Sequence, residues 1–500
     1  MDRERAPLRF VDRYHLQRVQ GLTFQLHQPV KERANPILTP QQDWEGWRSF
    51  PYGKAVLFDP ADGRYKLWYE TQHDGASSGS WEMAAIKRMA YATSPDGLHW
   101  ERPNLGQVTR AGSTRHSLID MGPFGMHFAN VILDEAHDPD PARRFKMLFW
   151  AIPPGKGQGE LPMGATVAAS PDGVRWRLLR PPHDPAFPGR AHWAPGKVTA
   201  GDAVSLVGWV AQQQRYVAFL KSNDLVYQGY RTICYSESAD FINWSKLVSV
   251  LAPDEYDPWG TEFYYMTVFP YPDLAGTLYV GLLSVYHNYT RRRGAWGEAA
   301  CDCPPELAHL DQHMDVRLAF SRDLQVWQQA GGRAPFVPLG APGAWDSGVI
   351  YGSTLLDRGD ETWLYYAGTP MRHLGDDLQQ AGTVVNGQWW GIFGGVARLR
   401  REGFVSLHAG AEVGEAVTRP LRLSGQPLLI NACTQADGAV QVQLLDAAGH
   451  TLAGLAEARF TGDEVAGALA FPPAQLAALQ GEAVRIRVTC HSADLYSLTV

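Results

Sequence analysis

S-P-D-G-L-H-W at 94–100 decides the fold of this chain, because the same frame returns three more times: S-P-D-G-V-R-W at 170–176, S-A-D-F-I-N-W at 238–244 and S-R-D-L-Q-V-W at 321–327. In each copy Asp follows Ser by two positions and Trp follows it by six, and a short apolar run (M-A-Y-A-T, T-V-A-A, T-I-C-Y, V-R-L-A-F) comes before. A strand therefore enters a tight turn whose amides the Asp side chain can satisfy. Gly97 and Gly173 supply the freedom to take a positive φ, and the Trp packs as the chain returns. The same hairpin recurring at successive places is the signature of a repeat architecture.

Working outward, each hairpin follows a pair of β-rich runs. The pairs are A-V-L-F-D with Y-K-L-W-Y at 55–69, A-N-V-I-L-D with F-K-M-L-F-W at 129–150, and A-V-S-L-V-G-W-V with Y-V-A-F-L at 203–220. A fourth, M-T-V-F-P-Y with L-Y-V-G-L-L, lies at 266–283, and a fifth, V-I-Y-G-S-T-L-L with T-W-L-Y-Y-A-G, at 349–368. Polar turns such as D-P-A-D-G-R and D-R-G-D-E join the runs of a pair, as in hairpins. After the fifth pair comes G-G-V-A-R-L-R-R-E-G-F, which lacks the Ser and Trp but still reads as strand, turn and strand. Four antiparallel strands per unit, five times over, predict a five-bladed β-propeller at 41–408. The competing arrangement, two β-sandwiches, does not call for the same hairpin in successive units.

Residues 1–40 read as an N-terminal extended lead-in. From 409 to 500 Trp disappears, Ala and Leu rise, and short alternating runs (P-L-L-I-N-A, V-Q-V-Q-L-L-D, V-R-I-R-V-T-C) predict a C-terminal β-sandwich as an accessory domain. The expected fold class is thus all-β.

A chain of 500 residues is long for one core, and 45% hydrophobic with 19% charged residues suits a folded protein. Its net charge of -7 offers no global attraction to nucleic acid or anionic membrane. The start, M-D-R-E-R-A-P-L-R-F, has no apolar signal-peptide core, and no run of about 18 apolar residues occurs, so a cytoplasmic protein is expected. Five Cys in this length do not make a disulfide framework. Cys301, Cys303, His309 and His313 fall within thirteen residues, but Cys-x-Cys is tighter than zinc spacing, and the stretch reads as a loop with free thiols. No metal and no cofactor is expected. Walker, G-x-G-x-x-G and H-E-x-x-H motifs are all missing.

In a propeller the first strand of every blade lines the axis, so residues at its start converge from distant positions. Those positions carry Glu45, His127 and Asn130, Asp202, Glu262, and Asp346. Carboxylates gathered in a funnel suit glycosidic cleavage, in which one protonates the leaving oxygen and another attacks or activates water. Trp44, Trp47, Trp193, Trp259, Tyr264 and Trp345 flank the acids and offer faces for sugar rings, and His373 lies within reach of the same mouth. The recurrent Trp residues and Asp96, Asp172, Asp240 and Asp323 belong to blade packing and turns.

Over nearly its whole length the chain resembles the bacterial proteins related to glycoside hydrolase family 32, the invertase and levanase group. The resemblance rests on F-D-P-A-D-G-R-Y-K-L-W-Y, Y-A-T-S-P-D-G-L-H-W-E-R-P, R-L-A-F-S-R-D-L-Q-V-W and G-F-V-S-L-H-A-G; families 43, 62 and 68 share the five-bladed architecture. The family's N-D-P-N-G, R-D-P and E-C motifs are replaced here by W-E-G-W, H-F-A-N and G-D-A. By position the resemblance implies Glu45 as nucleophile or base, Asp202 or Glu262 as acid, and Asp346 orienting the substrate, an oligosaccharide or other glycoside with a fructosyl or arabinosyl linkage. The altered motifs equally admit a carbohydrate-binding propeller without catalysis, or a lyase or transglycosylase. Two channel carboxyls about 5 to 9.5 Å apart fit hydrolysis.

Overall fold

The computed structural model describes residues 5–72, 87–110, 112–152, 164–181, 202–223, 231–289, 305–373, 384–385 and 388–500. Trp193, Cys301 and Cys303 lie outside them. Among the described residues no helix is long and apolar enough to cross a membrane.

The fold is all-β: five sheets stand around an axis, and a sandwich follows. In blade one Ser49–Phe50 and Val56–Asp59 both pair with Arg64–Gln72, which pairs with Lys87–Ser94. Blade two runs Gly125–Leu133, Phe145–Ile152, Gly164–Ser170, Arg177–Leu178; blade three runs Val204–Val210, Arg215–Asn223, Arg231–Ser238, Val248–Leu251. Blade four is Thr261–Asp273, Gly276–His287, Met314–Ser321 and Gln328–Gln329. Blade five is Val349–Arg358, Glu361–Thr369, Phe393–Arg400 and, outermost, Val30–Lys31. One parallel pairing, Met314 with Val349, joins blades four and five into a single eight-stranded sheet.

The fifth blade therefore takes its fourth strand from the N-terminal segment, closing the ring. The run after Arg400 does not return onto the blade: Val405–Ala409 pairs with Thr23–Leu26 and with Ala483–Thr499. The physical reason is visible in the turn that the other four blades share. Ser94 Oγ accepts from the Gly97 amide at 2.8 Å, while Asp96 Oδ1 accepts from the amides of Leu98 and His99, both at 2.9 Å. Asp172, Asp240 and Asp323 each hold two amides in the same way. After Arg400 that Ser and Asp are missing, and a different turn, closed by the Gly403 amide on the Arg400 carbonyl at 2.8 Å, sends the chain into the C-terminal sheet.

All four turns need a positive φ at the same place: 78° at Gly97 and Gly173, 67° at Phe241 and Leu324. A non-Gly residue there costs about 1–3 kcal/mol. Phe241 and Leu324 are wholly buried, and burial of such a side chain returns about 1.5–3 kcal/mol, enough to offset the strain. In blades one and two the space is already filled. A Cβ on Gly97 would stand 2.5 Å from Tyr365 Oη, and one on Gly173 2.8 Å from the Trp68 ring.

The C-terminal unit is one ten-stranded sheet wrapped around a core that includes Phe10, Leu407, Ile430, Val442, Leu444, Ile486, Val488 and Leu495. Two long strands, Leu429–Asp446 and Ala483–Thr499, pair along most of their length with a shift between Thr434 and Ala439 and so run through both layers. Pro7–Arg9 and Leu16–Gln20 add to this sheet.

Candidate active site

Every innermost strand is interrupted at a similar level. The pairing register shifts at Phe128 and Ala129 in blade two, at Val207 in blade three, at Tyr264 in blade four and at Ser353 in blade five; in blade one residues 51–55 break the strand in two. Such bulges re-aim side chains. Tyr52 packs at the axis against Phe128, Tyr265 and Tyr351, with ring centroids 3.6, 4.4 and 5.1 Å away, and forms an aromatic floor. Below it Lys54 Nζ donates to the Val207 carbonyl at 2.8 Å. Asn130 binds four backbone groups: its Oδ1 accepts from Lys54 and Leu206, and its Nδ2 donates to Phe128 and Val204. It is thus a latch between three blades.

Above the floor a chain of charged groups crosses from blade to blade. Glu70, on the second strand of blade one, accepts from Arg48 and from His127 Nδ1, and Lys87 Nζ stands 3.7 Å away. The other ring nitrogen of His127 lies 3.8 Å from Asp202 Oδ2. Lys221 Nζ donates to Asp202 Oδ1 at 2.5 Å and lies 3.9 Å over the Tyr264 ring. The Arg231 guanidinium sits 5.3 and 5.1 Å from the Tyr264 and Tyr286 rings and pairs with Glu262. Glu262 also accepts from Asn288 Nδ2 at 2.9 Å. His373 from blade five stands against the Tyr264 and Tyr286 rings, 4.9 and 4.8 Å away.

Burial and charge set the protonation states here. Burial would raise the Glu70 carboxyl, but His127, Lys87 and Arg48 outweigh it and hold it well below the usual range. Asp202 is likewise held low, burial being overcome by Lys221 and His127. Burial lowers His127 to about 4 against the pull of Glu70, and lowers His373 to about 3 with Arg231 and Lys221 adding to the effect. Lys87 is pushed down to about 8 by burial, partly offset by Glu70, and burial lowers Lys221 despite Asp202. At neutral pH both carboxylates are therefore ionised and both imidazoles neutral. An ionised Glu70 places the His127 proton on Nδ1 and leaves Nε2 an acceptor facing Asp202. The Asp202 side chain is 40% exposed, against 6% for Glu70 and 1% for Glu262.

Of the residues expected from sequence, the structure brings together Asp202, Glu262, His127, Tyr264 and His373. Glu45 and Asp346 stand apart from this chain of charges. Glu45 is fully buried in a short 3-10 turn, Asp43–Glu45, where it accepts from Tyr69 Oη at 2.9 Å, Arg102 Nε at 3.0 Å, Ser49 Oγ, and the amides of Gln41 and Gln42. Asp346 is buried with Lys31 Nζ at 2.6 Å and Tyr366 Oη at 3.1 Å, tying the N-terminal strand to blade five. Both carboxylates hold chain segments in place. Trp44 lies 5.9 Å from His116, and Trp345 stacks on Tyr366. Trp47 lies under the Arg48 guanidinium at 4.8 Å, and Trp259 is 58% exposed just before Glu262. Arg48, Glu70, Lys87, Lys221, Arg231 and Asn288 were not among the expected residues. For Glu70 and Lys221 the signal is a charge interrupting an apolar strand, as in Y-K-L-W-Y-E and Y-V-A-F-L-K; Arg48, Lys87, Arg231 and Asn288 stand at or beside strand ends. Among the described residues no group of three or more His, Cys, Asp or Glu is arranged to hold a metal ion; His309 is exposed, and His313 Nδ1 pairs with the Asp311 carbonyl at 2.9 Å.

No family model and no curated protein matches the chain. Among solved structures it is similar to an N-acetylgalactosamine deacetylase from F. plautii, with 16% identity and a TM-score of 0.46 over 75% of this chain and 95% of that one. A glycosyl hydrolase from Bacteroides ovatus is 15% identical with a TM-score of 0.43, over 75% and 93%. A family 32 β-fructofuranosidase of Bombyx mori is 12% identical with a TM-score of 0.45, over 95% and 94%. Likenesses this distant leave the chemistry to be argued from the chain's own residues.

Proposed function

We propose that the protein is a glycoside hydrolase that cleaves a furanoside, of fructosyl or arabinosyl type, in the funnel above Tyr52. The carrying observation is that His127 Nε2 and Asp202 Oδ2, both acceptors at neutral pH, face each other at 3.8 Å. Each acceptor takes one O–H, so the pair suits neighbouring hydroxyls of a sugar, each donating to one of them. Asp202 is the acid/base group: a bound sugar that strips its solvent raises its carboxyl toward the range where it can protonate a leaving oxygen. The Glu70–His127 pair is the base, with Glu70 fixing the tautomer and His127 Nε2 drawing the proton from water. Glu262 holds Arg231 and acts as a positioning residue. Trp259, 58% exposed, offers a ring face to the sugar, while Tyr264 is covered by Lys221 and holds it in place.

A second reading, a carbohydrate-binding propeller without catalysis, is favoured by one observation. Glu70 and Asp202 are both held low, whereas hydrolysis asks one carboxyl to stay protonated. Incubation with a panel of fructosyl and arabinosyl oligosaccharides, with products identified, separates the two. Released monosaccharide supports hydrolysis, and binding without any product supports the second reading.

A further inference from the structure

The funnel carries more positive charge than a site built for neutral sugars requires. Among the described residues that line it, Arg48, Lys87, Lys221 and Arg231 are cations, against the carboxylates of Glu70, Asp202 and Glu262. The extra cation lies with Arg48 and Lys87, which share Glu70; between blades three and four Lys221 and Arg231 each have one carboxylate, Asp202 and Glu262, and converge on the Tyr264 ring. Lys221 has one carboxylate contact and two further N–H bonds. Arg231 engages Glu262 through Nη1, while its buried Nε has no hydrogen-bond partner. The Nε of Arg48 and the Tyr52 hydroxyl are buried donors in the same state. Unmatched arginine Nε atoms occur elsewhere in the molecule as well; what sets Arg231 apart is that its open Nε converges with the remaining N–H bonds of Lys221 on one ring, where an oxyanion can accept from both. The local field has the matching sign: after burial itself, Arg231 and Lys221 are what lower the proton affinity of His373.

We propose that Lys221 and Arg231 form an oxyanion subsite on the Tyr264 face of the funnel, which takes the carboxylate of an acidic sugar. This rests on the reading of the funnel as a carbohydrate site and adds the substrate class. Guanidinium Nε and the lysine ammonium, both held against the Tyr264 ring, approach the carboxylate oxygens, and Asp202 is left on the far side of Lys221, toward His127. A neutral furanoside meets the same floor but leaves the Arg231 Nε unmatched.

Calorimetric titration of the whole protein at low salt, with D-glucuronate and D-galacturonate against D-glucose and D-galactose, tests it, with inorganic phosphate as a third probe. Acidic sugars should bind at least ~10-fold more tightly than their neutral counterparts, and 0.5 M salt should shrink the ratio, since screening weakens charge pairing. Lys221→Met should bring the ratio close to one, and Lys221→Arg should keep it. Phosphate binding more weakly than the uronates identifies the sugar's own carboxylate as the ligand. Phosphate binding as tightly and competing with them identifies a free oxyanion; both results support the subsite. Equal affinity for acidic and neutral sugars, with no phosphate binding, overturns it. That failure is separable from failure of the hydrolase reading, because cleavage of neutral furanosides is scored independently on the substrate panel.

Discussion

His127 Nε2 faces Asp202 Oδ2 at 3.8 Å, across the seam between blades two and three. Neither group is adjacent to the other in sequence, and the ring closure alone makes them neighbours. Their relation depends on Glu70, which accepts the imidazole N–H at Nδ1 and so leaves Nε2 without one.

Glu70→Gln should therefore impair activity without touching the substrate directly. The amide no longer dictates the His127 tautomer, and Arg48 and Lys87 lose their counter-charge. Turnover is expected to fall ~10²-fold or more, in line with the loss of an oriented general base. Glu70→Asp should recover part of it. A Gln variant with unchanged pH–rate behaviour would remove His127 from the role given to it.

Glu45 offers the contrasting case. Glu45→Gln leaves two or three of its five donors facing an amide nitrogen, and breaking a buried pair with Arg102 should cost about 2–4 kcal/mol. Thermal melting should show a clear loss of stability, while turnover per folded molecule stays near that of the parent. A collapse of turnover at unaltered melting temperature would return Glu45 to the chemistry.

How far these roles could be read from the sequence follows from what each residue does. The S-x-D-x-x-x-W turns are local, so four blades were legible from spacing alone, and the fifth from its strand pair. The N-terminal strands were not: Leu16–Gln20 and Thr23–Leu26 pair with residues about 400 positions later, Thr418 to Glu415 and His408 to Val405. Val30–Lys31 was hidden for the same reason, since its partners are Ala397 and Arg398. An acid at the start of a first strand marks Asp202 and Glu262, which the propeller joins through Lys221 and Arg231 on the Tyr264 ring. The same signal is also how a turn cap looks, and Glu45 is one. Lys221 and Arg231 escaped notice because a charge in a strand usually reads as a solvent-facing residue; here the closed ring buries that face.

The packing between blades gives a test of the repeat itself. Trp68 Nε1 donates to the Gly173 carbonyl at 2.7 Å, locking blade one onto the turn of blade two. Gly173→Ala meets both a positive φ of 78° and the Trp68 ring, whereas Gly63→Ala meets a φ of 68° in open space. The first should lose about 2–4 kcal/mol and the second about 1 kcal/mol in denaturant unfolding. Equal losses would show that the Trp68 contact is dispensable.

Lys54 sets a pH dependence of stability. Its ammonium is buried with the Val207 carbonyl and the Phe269 ring as neighbours, and burial lowers it to about 7 from an ordinary 10.5. Between those values the unfolded chain holds a proton that the folded one has released. Its contribution to stability thus rises with pH across that window, by up to roughly 1.4 kcal/mol per pH unit. Lys54→Met should melt higher than the parent at pH 6, with the advantage shrinking by pH 9. A difference that does not vary with pH would mean that Lys54 keeps its proton throughout.

The central claim is that Asp202 exchanges the proton in glycosidic cleavage, and the turnover of Asp202→Asn on whichever furanoside the parent cleaves tests it most directly. The change also takes the counter-charge from the buried Lys221 ammonium, so some loss of melting temperature is expected, but turnover per folded molecule should drop ~10²–10⁴-fold, as expected for loss of a general acid/base. Turnover equal to the parent's would contradict the account.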